Sequence, residues 1–346
     1  MSKQSASEIP LPFQLSRMVS SLWVPRAIYT AAKLKIPEAL ADGPRSSRQV
    51  AKAVEAHPKA THRLLRALTA IGLCRSEGED TFSLTPMGDC LRAESPRTVR
   101  SWALLMGSAM EWELWGKLVD CVRSGDPAPK LVDGSATFDF IAAHPEEAAL
   151  FDKAMTEMTG HIASAIAQAY DFSGIENIID LGGGQGSLMA AILKANPAVR
   201  GVVLDLAHCR EGAERLMKEA GLAERCRFQS GDLFKSVPEG AGAYILKSVI
   251  HDWSDPDSLR ILGNCRRAMD RGARLLLIEV IVPNQAGTSD LDRAIVGTDL
   301  NMLVNTGGQE RTESELRDLL GQAGMKVERI IATPSALSII EAVSSG

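Results

Sequence analysis

The stretch Ile178–Ser187, IIDLGGGQGS, decides the fold of the second half of the chain. The apolar pair Ile178–Ile179 leads into Asp180, glycines follow at positions 182, 183, 184 and 186, and an apolar helical pattern begins at Leu188. This order predicts a buried strand, a glycine turn and a helix. Glycine tolerates positive φ and lets a ligand lie against bare main chain, and free N–H groups at a helix start attract anionic groups. We therefore expect a nucleoside-binding turn.

The spacing of these glycines narrows the choice of ligand. The dinucleotide pattern GxGxxG would need a third glycine at position 187 or 189, where the chain has Ser187 and Met189. A phosphate-binding P-loop would need Gly-Lys-Ser/Thr after the turn, and none follows. The remaining pattern, Asp180-x-Gly182-x-Gly184-x-Gly186, resembles the S-adenosylmethionine (SAM) loop of class I methyltransferases. Another doubly wound fold remains the alternative for this segment alone.

The rest of the second half alternates between strand and helix patterns. Apolar runs predict strands at 176–181, 200–205, 226–230, 242–248 and 273–281, with the last near 326–331 and 336–343. This spacing is typical of right-handed βαβ units with buried parallel strands.

Acidic residues close the second and third of these strands. Asp205 ends GVVLDL, where a carboxylate can accept the ribose hydroxyls of a nucleoside. In GDLF, Asp232 can bond an adenine amino group while Leu233 covers the ring. Both positions also suit structural roles, an N-cap for Asp205 and a strand-to-loop turn for Asp232. Their common position at the carboxyl ends of strands favours ligand binding.

The fourth strand runs into AYILKSVIHDWSD, residues 243–255. Lys247 lies within the strand and His251 follows it, with Trp253 interpreted as a core or lid residue. A neutral imidazole at the ligand-binding edge can take a proton from a substrate hydroxyl. A lone histidine is more often structural, so both interpretations stay open at this point.

The first hundred residues predict a different architecture. Residues 14–42 are helical in pattern, Ser46 and Ser47 can cap a second helix, a third runs from 60 to 71, and strands at 73–75 and 81–84 form a wing. Residues 1–100 carry a net charge of +6, from 15 Lys+Arg and 9 Asp+Glu. A DNA-binding winged helix is therefore a remote alternative, with these basic side chains on its recognition helix: Lys59, His62, Arg63 and Arg66.

Composition indicates an ordinary globular protein. The 346 residues carry a net charge of −5 and favour two domains, which we place at 1–105 and 106–346. No apolar run reaches the length of a membrane span, and residues 1–13 have no signal-type apolar core. The six cysteines and six histidines are scattered without metal-ligand spacing, which predicts free thiols in the cytoplasm and no metal.

Taken together, the motifs DLGGGQG, LDL, GDLF, LKSVIHDWSD, LLLIEVIVP and GGQERT resemble the plant and bacterial small-molecule O-methyltransferases, which include caffeate, flavonoid and phenazine methyltransferases. The resemblance covers nearly the whole chain. It implies a Rossmann-like, doubly wound class I methyltransferase α/β sheet with an N-terminal winged-helix dimerisation domain. It also implies a homodimer that uses SAM, releases S-adenosylhomocysteine, needs no metal, and binds neither nucleic acid nor membrane.

The resemblance assigns roles to particular residues. His251 matches the general base, and Glu279 and Glu310 match the two carboxylates that orient it, although a strand-end and a helix-start glutamate would look the same. The implied cofactor-binding residues lie at the four strand ends: Asp180, Gly182, Gly184, Asp205, Leu206, Gly231, Asp232, Leu233, Phe234 and Lys247.

The acceptor pocket is expected to be apolar and suited to an aromatic ring. Its candidate residues are Trp112, Phe151, Met155, Met158, Asp252, Asn301, Met302 and Thr306, with Trp115 beside them. Plant members often have a histidine near Met158, so their specificity is not transferred. The predicted reaction is methyl transfer from SAM to a hydroxyl, expected to be phenolic, of an aromatic small molecule or natural product. Hydroxylation, decarboxylation or a pericyclic reaction with the cofactor unspent is the alternative.

Overall fold

The computed structural model describes residues 9–345, so residues 1–8 of the stretch tested for a signal peptide lie outside it. The chain divides into two compact units, residues 1–112 and 113–346, and each is described by itself. The domain boundary expected after residue 105 stays a prediction. No helix among the described residues is both long and apolar enough to cross a membrane.

The first unit is mostly helical with a small antiparallel sheet. Strands β1, β2 and β3 pair in the order β1–β3–β2, and β2 with β3 forms the predicted wing. Helix α8 spans the boundary between the units. The elements are α1 Leu11–Val19, α2 Trp23–Lys33, α3 Ile36–Ala39, β1 Arg45–Ser46, α4 Ser47–Ala53, α5 Pro58–Ala70, β2 Cys74–Ser76, β3 Thr81–Leu84, α6 Pro86–Asp89, α7 Arg100–Met106 and α8 Ala109–Trp115.

Local sequence signals explain where these helices begin and end. Ser46 and Gln49 form a reciprocal capping box at the start of α4, and His57 caps α5 immediately before Pro58. The helical pattern predicted over 14–42 is interrupted twice. A 3₁₀ turn at Ser20–Leu22 separates α1 from α2, and Lys35 takes a positive φ of 57° before α3.

The second unit alternates strands and helices after an initial helical stretch. Its helices are α9 Leu118–Ser124, α10 Ala128–Asp133, α11 Thr137–Ala142, α12 Pro145–Ala169, α13 Ser187–Ala195, α14 Arg210–Glu219, α15 Asp255–Ala268, α16 Asp290–Asn305 and α17 Glu313–Gln322. Its strands are β4 Asn177–Leu181, β5 Arg200–Asp205, β6 Cys226–Ser230, β7 Ala243–Lys247, β8 Arg274–Val282, β9 Arg311–Thr312, β10 Met325–Ala332 and β11 Leu337–Ser344.

The large sheet has the order β6–β5–β4–β7–β8–β11–β10, with β9 pairing separately with β8. The strands from β6 to β8 are parallel, as predicted. The expectation of parallel strands is wrong for the last two, because β11 runs antiparallel to both β8 and β10. Only a short connection joins β10 to β11, and a parallel pair would need a longer crossover.

Two apolar cores cover the two faces of this sheet. Successive strand residues enter different cores, as Leu275 and Leu277 do on one face and Leu276 and Ile278 on the other. The strand order reverses at β4, between β5 and β7. In such sheets the crevice beyond the carboxyl ends at the reversal point binds ligands, and the residues after β4 and β7 lie there.

Candidate active site

The glycine turn after β4 has the conformation that the sequence predicted. Gly182, Gly184 and Gly186 have φ values of 70°, 55° and 82°, a region that disfavours other residues. A Cβ on Gly182 would lie 2.8 Å from Cγ2 of Val249, so the turn passes directly against the segment that follows β7. Glycine is therefore needed here for close approach as well as for φ.

Asp205 is anchored by its neighbours at the end of β5. Its Oδ2 accepts the N–H of Gly184 at 2.7 Å and its Oδ1 accepts the N–H of Leu206 at 2.6 Å. Each oxygen has a second lone pair, so the carboxylate can also accept hydroxyls. Leu206 beside it is 45% exposed, an apolar surface next to a fixed carboxylate.

The residues that follow β6 form a half-buried, largely apolar surface. Gly231 leads into Asp232, whose Oδ1 accepts the N–H of Phe234 at 2.9 Å. The ring of Phe234 packs edge-on against Trp253 at 4.7 Å between centroids, and Leu233 and Trp253 both pack on the apolar core. Trp253 is thus a partly buried residue that packs on the core, which favours the core interpretation over the lid interpretation.

Asp180 lies beneath the turn rather than on its surface. It is 1% exposed, and its Oδ2 has no hydrogen-bond partner. Burial, with a smaller contribution from the charge of Asp205, raises its pKa to about 7. A cofactor role for Asp180 stays a prediction, and the geometry gives it contact with the underside of the turn, since a Cβ on Gly183 would lie 2.6 Å from its Oδ2.

Helix α12 spans the three strand ends with one polar face. Asp152 Oδ2 lies 3.6 Å from Nε2 of His208 after β5, the carbonyl of Thr156 accepts from Ser187 after β4 at 3.4 Å, and the Thr159 hydroxyl accepts from Lys247 of β7 at 3.1 Å. The spacing i, i+4, i+7 aligns these positions on the helix. The sequence interpretation missed all three residues of α12, although this spacing was readable.

The acceptor candidates Phe151, Met155 and Met158 form the adjacent stripe of the same helix, each one position before a residue of the polar face. All three are at least partly exposed. They therefore lie on the helix that contacts Lys247, one of the predicted cofactor residues, and their acceptor role stays a prediction.

The other acceptor candidates are placed differently. Asn301 accepts from Asn305, Met302 is 7% exposed, and the Thr306 hydroxyl caps α16. Trp112 is the last residue of the first unit, with the Arg26 guanidinium 5.0 Å from its ring centroid, and Trp115 follows in the second unit. Their acceptor roles stay predictions.

The three residues matched to proton transfer converge in space. Nδ1 of His251 lies 2.9 Å from Oε1 of Glu310 and 3.7 Å from Oε2 of Glu279. Both glutamates are buried, at 2% and 6% exposure, whereas the His251 side chain retains 14%. Oε1 of Glu279 also accepts the N–H groups of Val249 and Ile250, which fixes the turn that carries the histidine.

Asp252, predicted to bind the acceptor, lies 3.7 Å from Nε2 of His251 and adds a third carboxylate. Burial works to lower the pKa of His251, but the charges of Glu279, Asp252 and Glu310 overcome it and raise that pKa to about 10. Burial raises the pKa of Glu279 to about 7 and that of Asp252 to about 6. The arrangement gives the histidine a high proton affinity.

Two groups of described residues place donor atoms within 4.8 Å of one another, as a metal site requires: His251, Glu279 and Glu310, and Asp152, His208 and Cys209. In the first, the 2.9 Å hydrogen bond already occupies Nδ1 of His251. In the second, burial raises the pKa of the Cys209 thiol, which disfavours the thiolate that a metal would bind. We therefore do not propose a metal site at either group of residues.

Comparison with known proteins matches two family models to this chain. Residues 115–326 match the family model of the O-methyltransferase domain, and residues 16–94 match that of the O-methyltransferase dimerisation domain. The second match favours dimerisation over DNA binding for the winged helix. The chain is 35% identical over 339 residues to the phenazine O-methyltransferase PhzM of Lysobacter antibioticus, covering 97% of each.

Solved structures share the fold along nearly all of the chain. The crystal structure of LaPhzM superimposes with a TM-score of 0.91 at 35% identity, covering 97% of this chain and all of that one. NcsB1, an O-methyltransferase from neocarzinostatin biosynthesis solved with SAM and 2-hydroxy-5-methyl naphthoic acid, superimposes with a TM-score of 0.80 at 33% identity over 98% of this chain. The chain therefore belongs to the O-methyltransferase family, as an enzyme with the family's dimerisation and O-methyltransferase domains.

Proposed function

We propose that this protein transfers the methyl group of SAM to a phenolic hydroxyl of an aromatic small molecule, with His251 as the general base. The observation that carries the proposal is the cluster of His251 with two buried glutamates at the strand-order reversal. Bound SAM supplies an electrophilic methyl group on a sulfonium cation and leaves as S-adenosylhomocysteine.

The donor set fits this cofactor. The glycine turn offers bare main chain, Asp205 offers two fixed carboxylate oxygens for ribose hydroxyls, and Leu206 and Leu233 offer apolar surface for an adenine ring. Carboxylates dominate this edge, which suits a cationic nucleoside that has no phosphates. The cofactor-binding residues proposed are those at the four strand ends, with Asp180 supporting the turn from below.

The environment of His251 makes removal of the proton from a phenolic hydroxyl less unfavourable. A phenol has an ordinary pKa near ~10 and a histidine near ~6.5, so transfer between unperturbed groups is uphill. The three carboxylates raise the pKa of His251 to about 10, so the neutral imidazole, which forms as pH rises toward that value, has a proton affinity close to that of a phenolate. Glu310 holds Nδ1, and this leaves Nε2 as the atom that receives the proton from the acceptor.

The acceptor class is proposed from α12 and from relatives. Phe151, Met155 and Met158 present apolar and thioether surface beside the cofactor edge. Relatives include a mitomycin biosynthesis 6-O-methyltransferase of Streptomyces lavendulae and a 2,7-dihydroxy-5-methyl-1-naphthoate 7-O-methyltransferase of Streptomyces carzinostaticus, the second named for a hydroxylated naphthoate acceptor. We extend to this chain only the class, an aromatic natural product with a free hydroxyl.

A second reaction remains a specific candidate. The aclacinomycin 10-hydroxylase RdmB of Streptomyces purpurascens is 34% identical over 314 residues, at a level similar to the methyltransferases. The retained His251, Glu279 and Glu310 favour methyl transfer here, because a hydroxyl acceptor needs a base.

The deciding experiment measures cofactor turnover. Purified protein is incubated with SAM and a panel of catechols, naphthols, flavonoids and phenazines, and S-adenosylhomocysteine is quantified together with methylated product. We expect the two in equal amounts for at least one acceptor. A product that forms while SAM stays unspent would reject methyl transfer and favour the second reaction.

We propose further that the protein is a homodimer through its N-terminal domain. Helix α1 has no buried residue, and residues 11–23 expose an apolar series on a domain that matches the dimerisation model: Leu11, Phe13, Leu15, Met18, Val19, Leu22 and Trp23. A second copy would remove this surface from water. Light scattering should give twice the 37.1 kDa chain mass, and a 37.1 kDa particle at micromolar concentration would reject the dimer. Six free cysteines support a cytoplasmic location.

A further inference from the structure

The segment Gly308–Arg311 runs alongside the turn Ile250–Trp253 that carries His251. Gln309 donates its N–H to the carbonyl of His251 at 2.9 Å, and Oε1 of Glu310 forms a hydrogen bond with Nδ1 of the imidazole. A Cβ on Gly308 would lie 2.0 Å from the carbonyl oxygen of His251, so only glycine permits this approach. Strand β9 fixes the segment to the end of β8, where Arg311 pairs with Ile281.

Arg311 completes this contact from within the core. Its side chain is 2% exposed, and its guanidinium donates to the carbonyls of Ile250 at 3.0 Å and Trp253 at 2.9 Å. These two carbonyls bracket His251 and Asp252. Both Nε and Nη2 also donate to Oδ1 of Asp255, at 3.0 and 2.8 Å, which fixes the plane of the fork.

The chemistry of this contact requires arginine. Two carbonyls and one carboxylate oxygen lie on different sides of the group, and a planar fork with five N–H donors reaches all of them at once. A lysine ammonium is a point donor on a flexible stem and cannot hold both carbonyls together. The buried charge costs solvation, and the Asp255 carboxylate, itself 58% exposed, compensates only part of it.

We propose that Arg311 is a positioning residue for His251, holding the turn so that the imidazole meets Glu310. This inference rests on the proposed function, because it concerns the base of that reaction. Arg311 touches neither the imidazole nor any reacting atom, and it acts through the backbone of residues 250–253.

The test replaces Arg311 by lysine, which keeps the charge and removes the fork geometry. Arg317→Lys is the matched control, because Arg317 lies on the next helix, is 45% exposed and pairs with Glu313 at 2.8 Å. Two quantities are measured for each variant: the pKa of His251, by NMR titration of histidine-labelled protein assigned with His251→Gln, and kcat with a saturating acceptor.

We expect Arg311→Lys to lower the pKa of His251 toward its ordinary value and to reduce kcat about 10–100-fold, the usual cost of losing an orienting partner. The SAM dissociation constant should stay within about twofold, because the strand ends that hold the cofactor are untouched. The control should match the wild type in every quantity. An unchanged pKa and kcat in folded Arg311→Lys would overturn the proposal.

Two arrangements keep the test decisive. If Arg311→Lys fails to fold, Asp255→Asn loosens the fork from the exposed side, with Asp257→Asn on the same helix turn as its control. A His251 pKa and a kcat that are equal in these two variants would then overturn the inference. The NMR titration needs no turnover, so the positioning role is tested even if no acceptor is methylated, an outcome that would reject the proposed function alone.

Discussion

Two regions of the second unit contain carboxylates. One is the sheet edge that would hold the cofactor, and the other is the cluster around His251; the two differ in how far their carboxylates are exposed to solvent. At the cofactor edge, Asp205 and Asp232 each accept N–H groups from residues within their own turn or the neighbouring one, and both stay partly exposed. In the cluster, Glu279 and Glu310 are buried and come from separate elements. Solvated acids bind by hydrogen bonding, whereas buried acids change the proton affinity of a neighbour.

This difference predicts separable effects of substitution. Changes at the cofactor edge should alter affinity for SAM and leave the chemical step nearly intact. Changes in the cluster should alter the chemical step and its pH dependence and leave affinity for SAM nearly intact.

The largest effect is expected for His251→Ala. Loss of a positioned base should lower kcat about 10²–10⁴-fold, and calorimetry should give a SAM dissociation constant within about twofold of the wild type. His62→Ala, the same change at a half-buried histidine of α5 that pairs with Asp80, is the control. A variant that binds SAM and keeps the full rate would reject the base role.

Asp180→Asn tests the acid that is buried beneath the glycine turn. Burial raises the pKa of Asp180 from 3.8 to about 7, so the folded chain keeps a proton that the unfolded chain loses above about pH 4. The stabilisation of the folded state by this group is therefore fully present at low pH and is lost as pH rises toward 7. By linkage it amounts to at most about 4 kcal/mol.

Asparagine does not ionise. The free energy of unfolding of Asp180→Asn, measured by chemical denaturation, should therefore fall less steeply between pH 4.5 and pH 8 than that of the wild type. Other buried acids are common to both proteins and cancel in the comparison. Parallel stability curves for the two proteins would mean that Asp180 is ionised throughout in the folded state.

Glu310→Gln should separate proton affinity from cofactor binding. The carboxylate raises the pKa of His251, so its loss should lower that pKa and move the rising limb of kcat/KM to lower pH. The maximal rate should fall about 10–100-fold, because the imidazole is a weaker base and less well oriented. Glu313→Gln, at an exposed ion pair, should leave the limb in place.

The smallest effect is expected for Asp205→Asn. An amide has only one acceptor oxygen, so the N–H of either Gly184 or Leu206 loses its partner, and the ribose loses a charged acceptor. We expect roughly tenfold weaker SAM binding, from about 1.5 kcal/mol, with kcat at saturation almost unchanged. A fall in kcat without a change in SAM affinity would contradict the separation of the cofactor edge from the His251 cluster.

Sequence reasoning succeeded where the signal is local. The glycine turn, the strands from Asn177 to Val282 and the wing were all readable, because each is specified by periodicity, capping or glycine within about ten residues. It failed at β11, whose antiparallel direction depends on which strand edge remains free, and at the polar face of α12, whose partners come from three separate segments of the chain.

The sequence by itself indicated the class of ligand, through the spacing of Gly182, Gly184 and Gly186, and predicted His251 as the base, because both patterns are contiguous in the chain. Only the tertiary structure decided the chemical state of that base. His251, Glu279, Glu310 and Arg311 lie on three different elements, and their mutual distances and burial, which set the pKa of His251, exist only after the sheet brings β7, β8 and β9 together. Proton affinity depends on distance and solvent exclusion, and neither quantity is encoded in a local pattern.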